Sequence, residues 1–495
     1  MLSGSRVVLV QAADDDLLIR PPHPPEQVVD VVAAVRDALR FPLAGPPLDA
    51  IAPANGRATL VVEPRSLPVP GAQLDPRADA LAATIDELAR CGIPDARQTI
   101  LVAGGLEQRL GQRDLEQLLP PPRARAFRGR VVVHDVEEPS LVPIAASADS
   151  GTVRIHPDVT DADIVVVVSA AETVLHGGPG AFLASCDAAT VRGAAASDSL
   201  VEAAGAPEWT LALEIERALA ERVALMGVSL VLDLPRLAGG FRGYPDEPAA
   251  LDQLARSPLR MGFSRLPSSV RFDVLRRQAR TLATTAAFAG PPSVAHAEAL
   301  LRGVELRGVR LSEALDALVV GVSWTGPHVP RERLNPITAA TLPLGLALRL
   351  RRDAFPIAPN GTLVLLHPLT RSFHGTVQRP YAAMFHALRS ARNATELAEA
   401  ERAAGADTPS LEAYRAGKTC HPLLPYADWA GCRPALEQLG RVLVAGSRDA
   451  AAARAFGFVP TRGIGTALEM VRGISGADAR VGYLLAPPYA PLILG

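Results

Sequence analysis

The sequence predicts an α/β protein of two α/β domains with a cleft between them. Three observations carry this. Short, continuous, Val-rich runs recur with helical patterns between them, as expected of parallel strands buried on both faces. The alternation begins near residue 57, gives way to a Gly/Pro-rich stretch from Leu234 to Ser268, and resumes near residue 317. The chain has 495 residues, more than a single core of this kind usually holds. Residues 1–275 are expected to form a doubly wound, mostly parallel sheet. Residues 276–495 are expected to form a smaller C-terminal α/β domain, with the last strand free to return to the first.

The elements follow from local pattern. Arg57 to Val62 (RATLVV) reads as a strand. Asp75 to Cys91 reads as a helix: Asp75 is a natural N-cap, Pro76 suits the first helical position, and Gly92 and Pro94 stop it. Gln98 to Ala103, Arg130 to His134, Thr152 to His156 and Ile164 to Val168 read as further strands, with a helix over Arg113 to Leu119. Trp209 to Met226 is a long helical pattern that leads into the strand Val228 to Leu232. Helices are expected over Phe272 to Phe288 and Ser293 to Leu301. The second series comprises strands Ala317 to Val322, Thr362 to His367, Arg441 to Ala445 and Val481 to Leu485. Its helices are Thr338 to Arg351 and Gly465 to Arg472, and Asn393 to Ala406 reads as an exposed helix.

Composition narrows the function. Hydrophobic residues make up 48% and charged residues 21%, with a net charge of −2, and no basic stripe is present. Nucleic acid and membrane surfaces are therefore not the expected partners. A small-molecule anion is, and homo-oligomerisation stays open. Cys91, Cys186, Cys420 and Cys432 are unpatterned and make no CxxC, which disfavours a zinc knuckle or disulfide framework. The apolar stretch at the N-terminus is too short for a signal peptide or membrane span, so a cytoplasmic location is expected. Lys418 is the one lysine of the chain. Arginine neither forms a Schiff base or amide nor acts as a base near neutral pH, so chemistry needing a side-chain amine would have to use Lys418.

In open α/β sheets, ligands gather beyond the carboxyl ends of the strands. Four loops have that address. They are Glu63 to Pro70, Gly104 to Arg109, His134-Asp135, and a stretch after Val168 that reads AETVLHGGPGAFLASCD, Ala171 to Asp187. In the last, Gly177, Gly178 and Gly180 allow close backbone approach, and amides at a helix start suit phosphate or carboxylate. The alternative there is a plain strand-to-helix turn. No P-loop lysine follows. Gly463 to Leu468 fits a dinucleotide fingerprint loosely, without the third glycine. His296 sits in a helical pattern and reads as structural. Lys418-Thr419-Cys420-His421 is either a reactive cluster or a surface loop. No GxSxG elbow occurs.

The order of loops resembles the nickel-pincer lactate racemase family. The resemblance runs through Leu39-Arg40-Phe41-Pro42-Leu43, Leu67-Pro68-Val69-Pro70, the Gly104-Gly105 loop with Arg113-Asp114-Leu115, Val133-His134-Asp135 and Asp161-Ala162-Asp163-Ile164. It continues through Val228 to Asp233, Ala295-His296, Asn360 to Val364 and Gly457 to Pro460. It implies two α/β domains with the site between them. It also implies a nickel-bearing pyridinium mononucleotide tethered to a lysine, and two histidines that exchange a proton at a 2-hydroxy acid through a hydride step on the cofactor. The sequence departs from that pattern at the key positions. The DxTRPxP loop reads Pro64 to Pro70, with Glu63 beside the lost acid and Arg65 near the lost arginine. Glu107 stands where one catalytic histidine is expected, and Thr173 where the other is. The tethering lysine falls on Leu183, and His176 is three residues late. No histidine occurs between Cys186 and Ser199, and Asn335 to Ala340 lacks the second-domain lysine.

These residues define one reading: a divergent member that binds a small hydroxy acid or similar anion between the domains, with the lysine-tethered pincer site lost. Arg65 and the amides of Gly177 and Gly178 would hold the anion, supported by Glu172, Thr173 and His134. Glu107 and His176 would be the catalytic proton-transfer pair. No metal ligand is assigned, and the cofactor is unknown. Two alternatives remain open: a non-catalytic ligand-binding or scaffold protein of the same fold, and a 2-hydroxyacid racemase or epimerase with a rebuilt site.

Overall fold

The computed structural model describes residues 1–23, 25–64, 75–147, 151–194, 197–234, 242–245, 247–277, 282–322, 333–485 and 489–495. Two six-stranded sheets organise the chain. The first has the order Thr284–Gly290, Ala224–Leu232, Ile164–Ala170, Ala58–Val62, Gln98–Val102, Arg130–Val133. All neighbours are parallel except the edge strand Thr284–Gly290, which runs antiparallel to Ala224–Leu232. The chain starts this sheet at Ala58–Val62, winds outward through two strands, then returns to Ile164–Ala170 on the other side. The switch point between Ala58–Val62 and Ile164–Ala170 is where doubly wound sheets open a crevice.

The second sheet has the order Val459–Thr461, Arg441–Ala445, Ile357–Leu366, Leu315–Gly321, Val481–Leu484, Leu17–Ile19, and every neighbouring pair is parallel. Its last edge strand comes from the N-terminus. The C-terminal strand, Leu492–Leu494, stays with the second half and pairs with Val309–Leu311 and Arg351–Arg352. The first sheet, in turn, draws its antiparallel edge from Thr284–Gly290, beyond residue 275.

The Val-rich runs form strands because both faces of each sheet are covered. In the first, Leu60, Ile100, Val166 and Val168 pack into one apolar cluster while Val61, Leu101, Val165 and Val167 pack into another. The second repeats this, with Leu318, Val320, Leu363 and Leu365 on one side and Val319, Val364 and Leu443 on the other. Each such side chain removed from water contributes roughly 1.5–3 kcal/mol. The helix Pro76–Arg90 begins as its sequence dictates, with the Asp75 side chain accepting from the Arg77 amide.

Four elements differ from the sequence reading. Phe272 to Phe288 is not one helix. A helix, Ser268–Arg277, precedes the strand Thr284–Gly290. Its alanines favour helix locally, but pairing along Ala224–Leu232 decides the outcome. Thr338 to Arg351 breaks up into the helix Pro336–Thr341, a π-helical turn Leu342–Ala347, and the short strand Arg351–Arg352. Pro343 removes an amide donor and crowds the preceding turn, which a continuous α-helix does not tolerate. Gly151–Ile155 pairs antiparallel with Val142–Ser147 as a separate two-stranded sheet, outside the parallel sheet. The helix expected over Arg113 to Leu119 is the single turn Gln112–Leu115.

Candidate functional site

A cavity of about 200 Å³ lies between the two halves. The first half supplies loops at the carboxyl ends of three parallel strands. Glu63 and Pro64 follow Ala58–Val62, Gly104 to Glu107 follow Gln98–Val102, and Thr173 and His176 follow Ile164–Ala170. The second half faces them with Thr341 and Leu342, Arg349 beyond the π turn, and Asp428 on the helix Leu424–Ala430. The switch point thus positions Glu63, Thr173 and His176 side by side. π-helical turns are rare and are found frequently at functional sites.

The structure brings some of the expected residues together and sends others elsewhere. Glu107, His176 and Thr173 all line the cavity. The Nδ1 of His176 and the hydroxyl of Thr173 share a hydrogen bond of 2.9 Å, which orients the imidazole. Arg65 lies outside the described residues. Glu172 is buried, and its carboxylate sits 3.7 Å from the Arg77 guanidinium, away from the cavity wall. His134 is also off the wall. It is buried, its Nε2 lies 2.8 Å from the Cys186 carbonyl, and its ring meets His156 edge-on at 5.6 Å. Burial holds the His134 imidazole down to a pKa of about 4, so it is neutral at physiological pH.

The glycines serve a different purpose from the one their composition suggests. The Gly177 amide donates to Glu63 Oε2 at 2.5 Å, and the Gly178 amide donates to the Ser169 hydroxyl at 3.2 Å. Both amides assigned to an anion are therefore engaged inside the protein. A Cβ on Gly178 would lie 2.3 Å from His296 Cβ, and one on Gly177 would lie 2.6 Å from His296 Cε1. Both residues have positive φ, +91° at Gly177 and +52° at Gly178. The close approach is to the helix Pro292–Arg307, whose His296 is fully buried, stacked on Trp209 and bonded to the Thr173 carbonyl at 3.0 Å. His296 is structural, as its helical setting predicts.

Three cavity groups were not assigned from the sequence. Glu63 is half-buried as a residue, but its carboxyl is enclosed beneath the glycine turn, and this governs its proton. Burial raises its pKa to about 8 against the lowering effect of the Gly177 amide and Arg77, and the neighbouring acids Glu107 and Glu172 raise it further. It is largely protonated at neutral pH. Its signal in the sequence was an acid directly after a buried strand. Asp428 accepts from the buried Tyr381 hydroxyl at 2.6 Å. Arg349 was visible as a lone charge in the apolar run LPLGLALRL.

The stretch Lys418 to His421 packs on the Gly104–Arg109 loop, not on the glycine turn. The His421 amide donates to the Leu106 carbonyl at 2.9 Å, its imidazole lies 3.1 Å from Glu137, and Gln108 donates to the Gly417 carbonyl at 2.8 Å. Lys418 itself is exposed and does not line the cavity. Leu183 does, from the short helix Gly180–Leu183. Among the described residues, no cluster of three or more His, Cys, Asp or Glu side chains is arranged to hold a metal ion, and no helix is long and apolar enough to cross a membrane.

Residues 4–177 match the lactate racemase N-terminal domain, the part that supplies Glu63, the Gly104–Glu107 loop, Thr173 and His176 to the cavity. That N-terminal segment is lactate racemase-like. The fold comparison extends the likeness over the whole length. The structure of the lactate racemase apoprotein from Thermoanaerobacterium thermosaccharolyticum superposes with a TM-score of 0.61 at 13% identity, covering 100% of this chain and 96% of that one. A Thermotoga maritima crystal structure matches with a TM-score of 0.50 at 11% identity, covering 94% and 97%. No curated protein matches the sequence. At these identities the structural matches establish the fold and leave the chemistry of the chain to its own residues.

Proposed function

We propose that this lactate racemase-like protein binds a small hydroxy acid or similar carboxylate in the cavity between its two halves, without the lysine-tethered nickel group. The observation that carries the reading is the convergence of Glu107, His176 and Glu63, from three strand ends, on one cavity closed by the second half. The tether is a question of residue chemistry. Leu183 lines the cavity where the resemblance calls for lysine, and a hydrocarbon side chain forms no amide. The one lysine, Lys418, is exposed on another loop. These residues do not fit a lysine-tethered group.

The groups present can orient a ligand and hold or move a proton. Glu63 brings a protonated carboxyl at neutral pH, Glu107 a second carboxyl, and His176 an imidazole fixed by Thr173. General acid–base groups of this kind contribute roughly 10²–10⁴-fold to a reaction. They do not by themselves activate the α-C–H bond of a hydroxy acid, which in the family the cofactor does by a hydride step. Binding is therefore favoured over racemisation, and the partner is a small anion in a cytoplasmic setting. The racemase reading keeps one observation in its favour, the shared cavity of Glu107 and His176.

The test is a thermal-shift screen of the full-length protein with lactate, malate and longer 2-hydroxy acids, repeated with Ala427→Trp, which fills the cavity from the helix Leu424–Ala430. Stabilisation that disappears in the variant supports the reading. Stabilisation unaffected by it, or none with any carboxylate, refutes it. Loss of optical rotation on incubation of one enantiomer of a 2-hydroxy acid with the protein would establish the racemase instead.

A further inference from the structure

Arg349 is a buried cation without a counter-ion in contact among the described residues. It is 5% exposed, and neither its Nε nor its Nη2 has a hydrogen-bond partner among the described residues. Its Nη1 makes one long bond, 3.4 Å, to the Gly345 carbonyl. The acids nearest in charge are committed elsewhere. Glu208 accepts from the amide and hydroxyl of Ser197, and Asp198 pairs with Arg351 at 2.7 Å. An uncompensated buried guanidinium is costly, and such groups are normally paired. Arg349 lines the cavity, and so do Gly345 and Gly431, the two residues that flank its Nη1. A Cβ on Gly431 would lie 2.8 Å from that nitrogen, so glycine there keeps the guanidinium in place. Burial also lowers the pKa of Arg349, with Glu208 and Cys432 acting in the opposite direction.

The remaining walls are largely hydrocarbon, including Leu106, Leu175, Leu183, Val191, Leu342 and Leu346. A polyhydroxylated acid would leave its hydroxyls facing these side chains without partners, whereas each methylene buried there strengthens binding about fourfold.

We infer that Arg349 grips the carboxylate of the ligand and that the ligand is an acid with an apolar body, branched or straight-chain, and not a sugar acid. The inference rests on the binding reading above and names both the anchor and the class of acid. It moves the anion contact from the glycine turn of the first half to the far side of the cavity. Ligand binding then joins the two halves through one ion pair.

Isothermal titration of the full-length protein with 4-methylpentanoate, its neutral amide and gluconate tests this. The acid is expected to bind at least 10-fold tighter than either other probe. Arg349→Met should bring the acid down to the level of the amide, a loss of roughly 10- to 100-fold for a charge-assisted pair, and Arg349→Lys should recover part of it. Equal binding of acid and amide by the native protein overturns the inference and holds even if the methionine variant fails to fold. Gluconate binding as well as 4-methylpentanoate overturns the apolar-body part. If Ala427→Trp abolishes acid binding while Arg349→Met leaves it unchanged, the cavity reading stands and the Arg349 assignment falls. If Ala427→Trp changes nothing, or no acid binds, both fall.

Discussion

Replacing Glu63 with glutamine isolates the enclosed carboxyl at the switch point. Glutamine keeps the shape and can still accept from the Gly177 amide, so only the ionisable group is lost. In the folded protein the Glu63 pKa is raised from 4.5 to about 8, chiefly by burial. The native state therefore holds a proton that the unfolded chain releases above about pH 4.5. Stability is unaffected below that pH, declines as pH rises towards 8, and levels off above it. The interval from 4.5 to about 8, at about 1.4 kcal/mol per pH unit, sets a ceiling of about 5 kcal/mol. Partial exposure of the residue screens this, and about 2–3 kcal/mol is the working value. Glu63→Gln should therefore match the native protein near pH 4.5 and exceed its stability by about that amount at pH 8.5. Urea unfolding followed by far-UV circular dichroism at several pH values reads the difference directly. A stability difference that stays constant from pH 4.5 to 8.5 would refute the reasoning, because it would mean the carboxyl ionises alike in both states.

Other perturbations test the packing around the same cavity. Gly178→Ala places a methyl group 2.3 Å from His296 Cβ at a φ of +52°; a loss above about 2 kcal/mol in thermal unfolding is expected, and a loss under about 0.5 kcal/mol would count against it. Arg349→Met should stabilise the ligand-free protein by about 1–3 kcal/mol, since it removes an unpaired buried charge; a fall in melting temperature by calorimetry would contradict that. Tyr414 accepts from the Val136 amide and donates to the Gly105 carbonyl across the seam between the halves. Tyr414→Phe should cost about 1–3 kcal/mol, and unchanged unfolding would show that the seam does not depend on it.

Much of the fold was legible because it depends on patterns within single segments. Ala58–Val62, Gln98–Val102 and Arg441–Ala445 lie within a residue of their sequence assignments, since runs buried on both faces have few alternatives. The cap at Asp75 was read from residue type alone. What failed depends on distant partners. Thr284–Gly290 is a strand because Ala224–Leu232 offers it an edge, and its own alanines do not reveal that. The site shows the same division. Glu107 and His176 were found by their position after strands. The engagement of the glycine amides by Glu63 and Ser169 was not, because it joins positions as far apart as 63 and 177. Arg349 stands out in the sequence as a lone charge in an apolar run, but the absence of a counter-ion beside it among the described residues is a property of the assembled cavity.

The N-terminal strand has a consequence for how the chain can be made and divided. Leu17–Ile19 pairs with Gly482, Tyr483 and Leu484, and Asp16 accepts from the Tyr483 hydroxyl across a separation of 467 residues. During synthesis this edge strand leaves the ribosome long before its partner, whose Tyr483 follows Asp16 by 467 residues. Contacts of such range are slow to close and expose an unpaired edge in the meantime. A gene cut between the halves would give a second fragment lacking one sheet edge and a first fragment carrying an unmatched strand. Expressed together, the fragments should find each other through that strand; expressed alone, the second should be prone to edge-to-edge association.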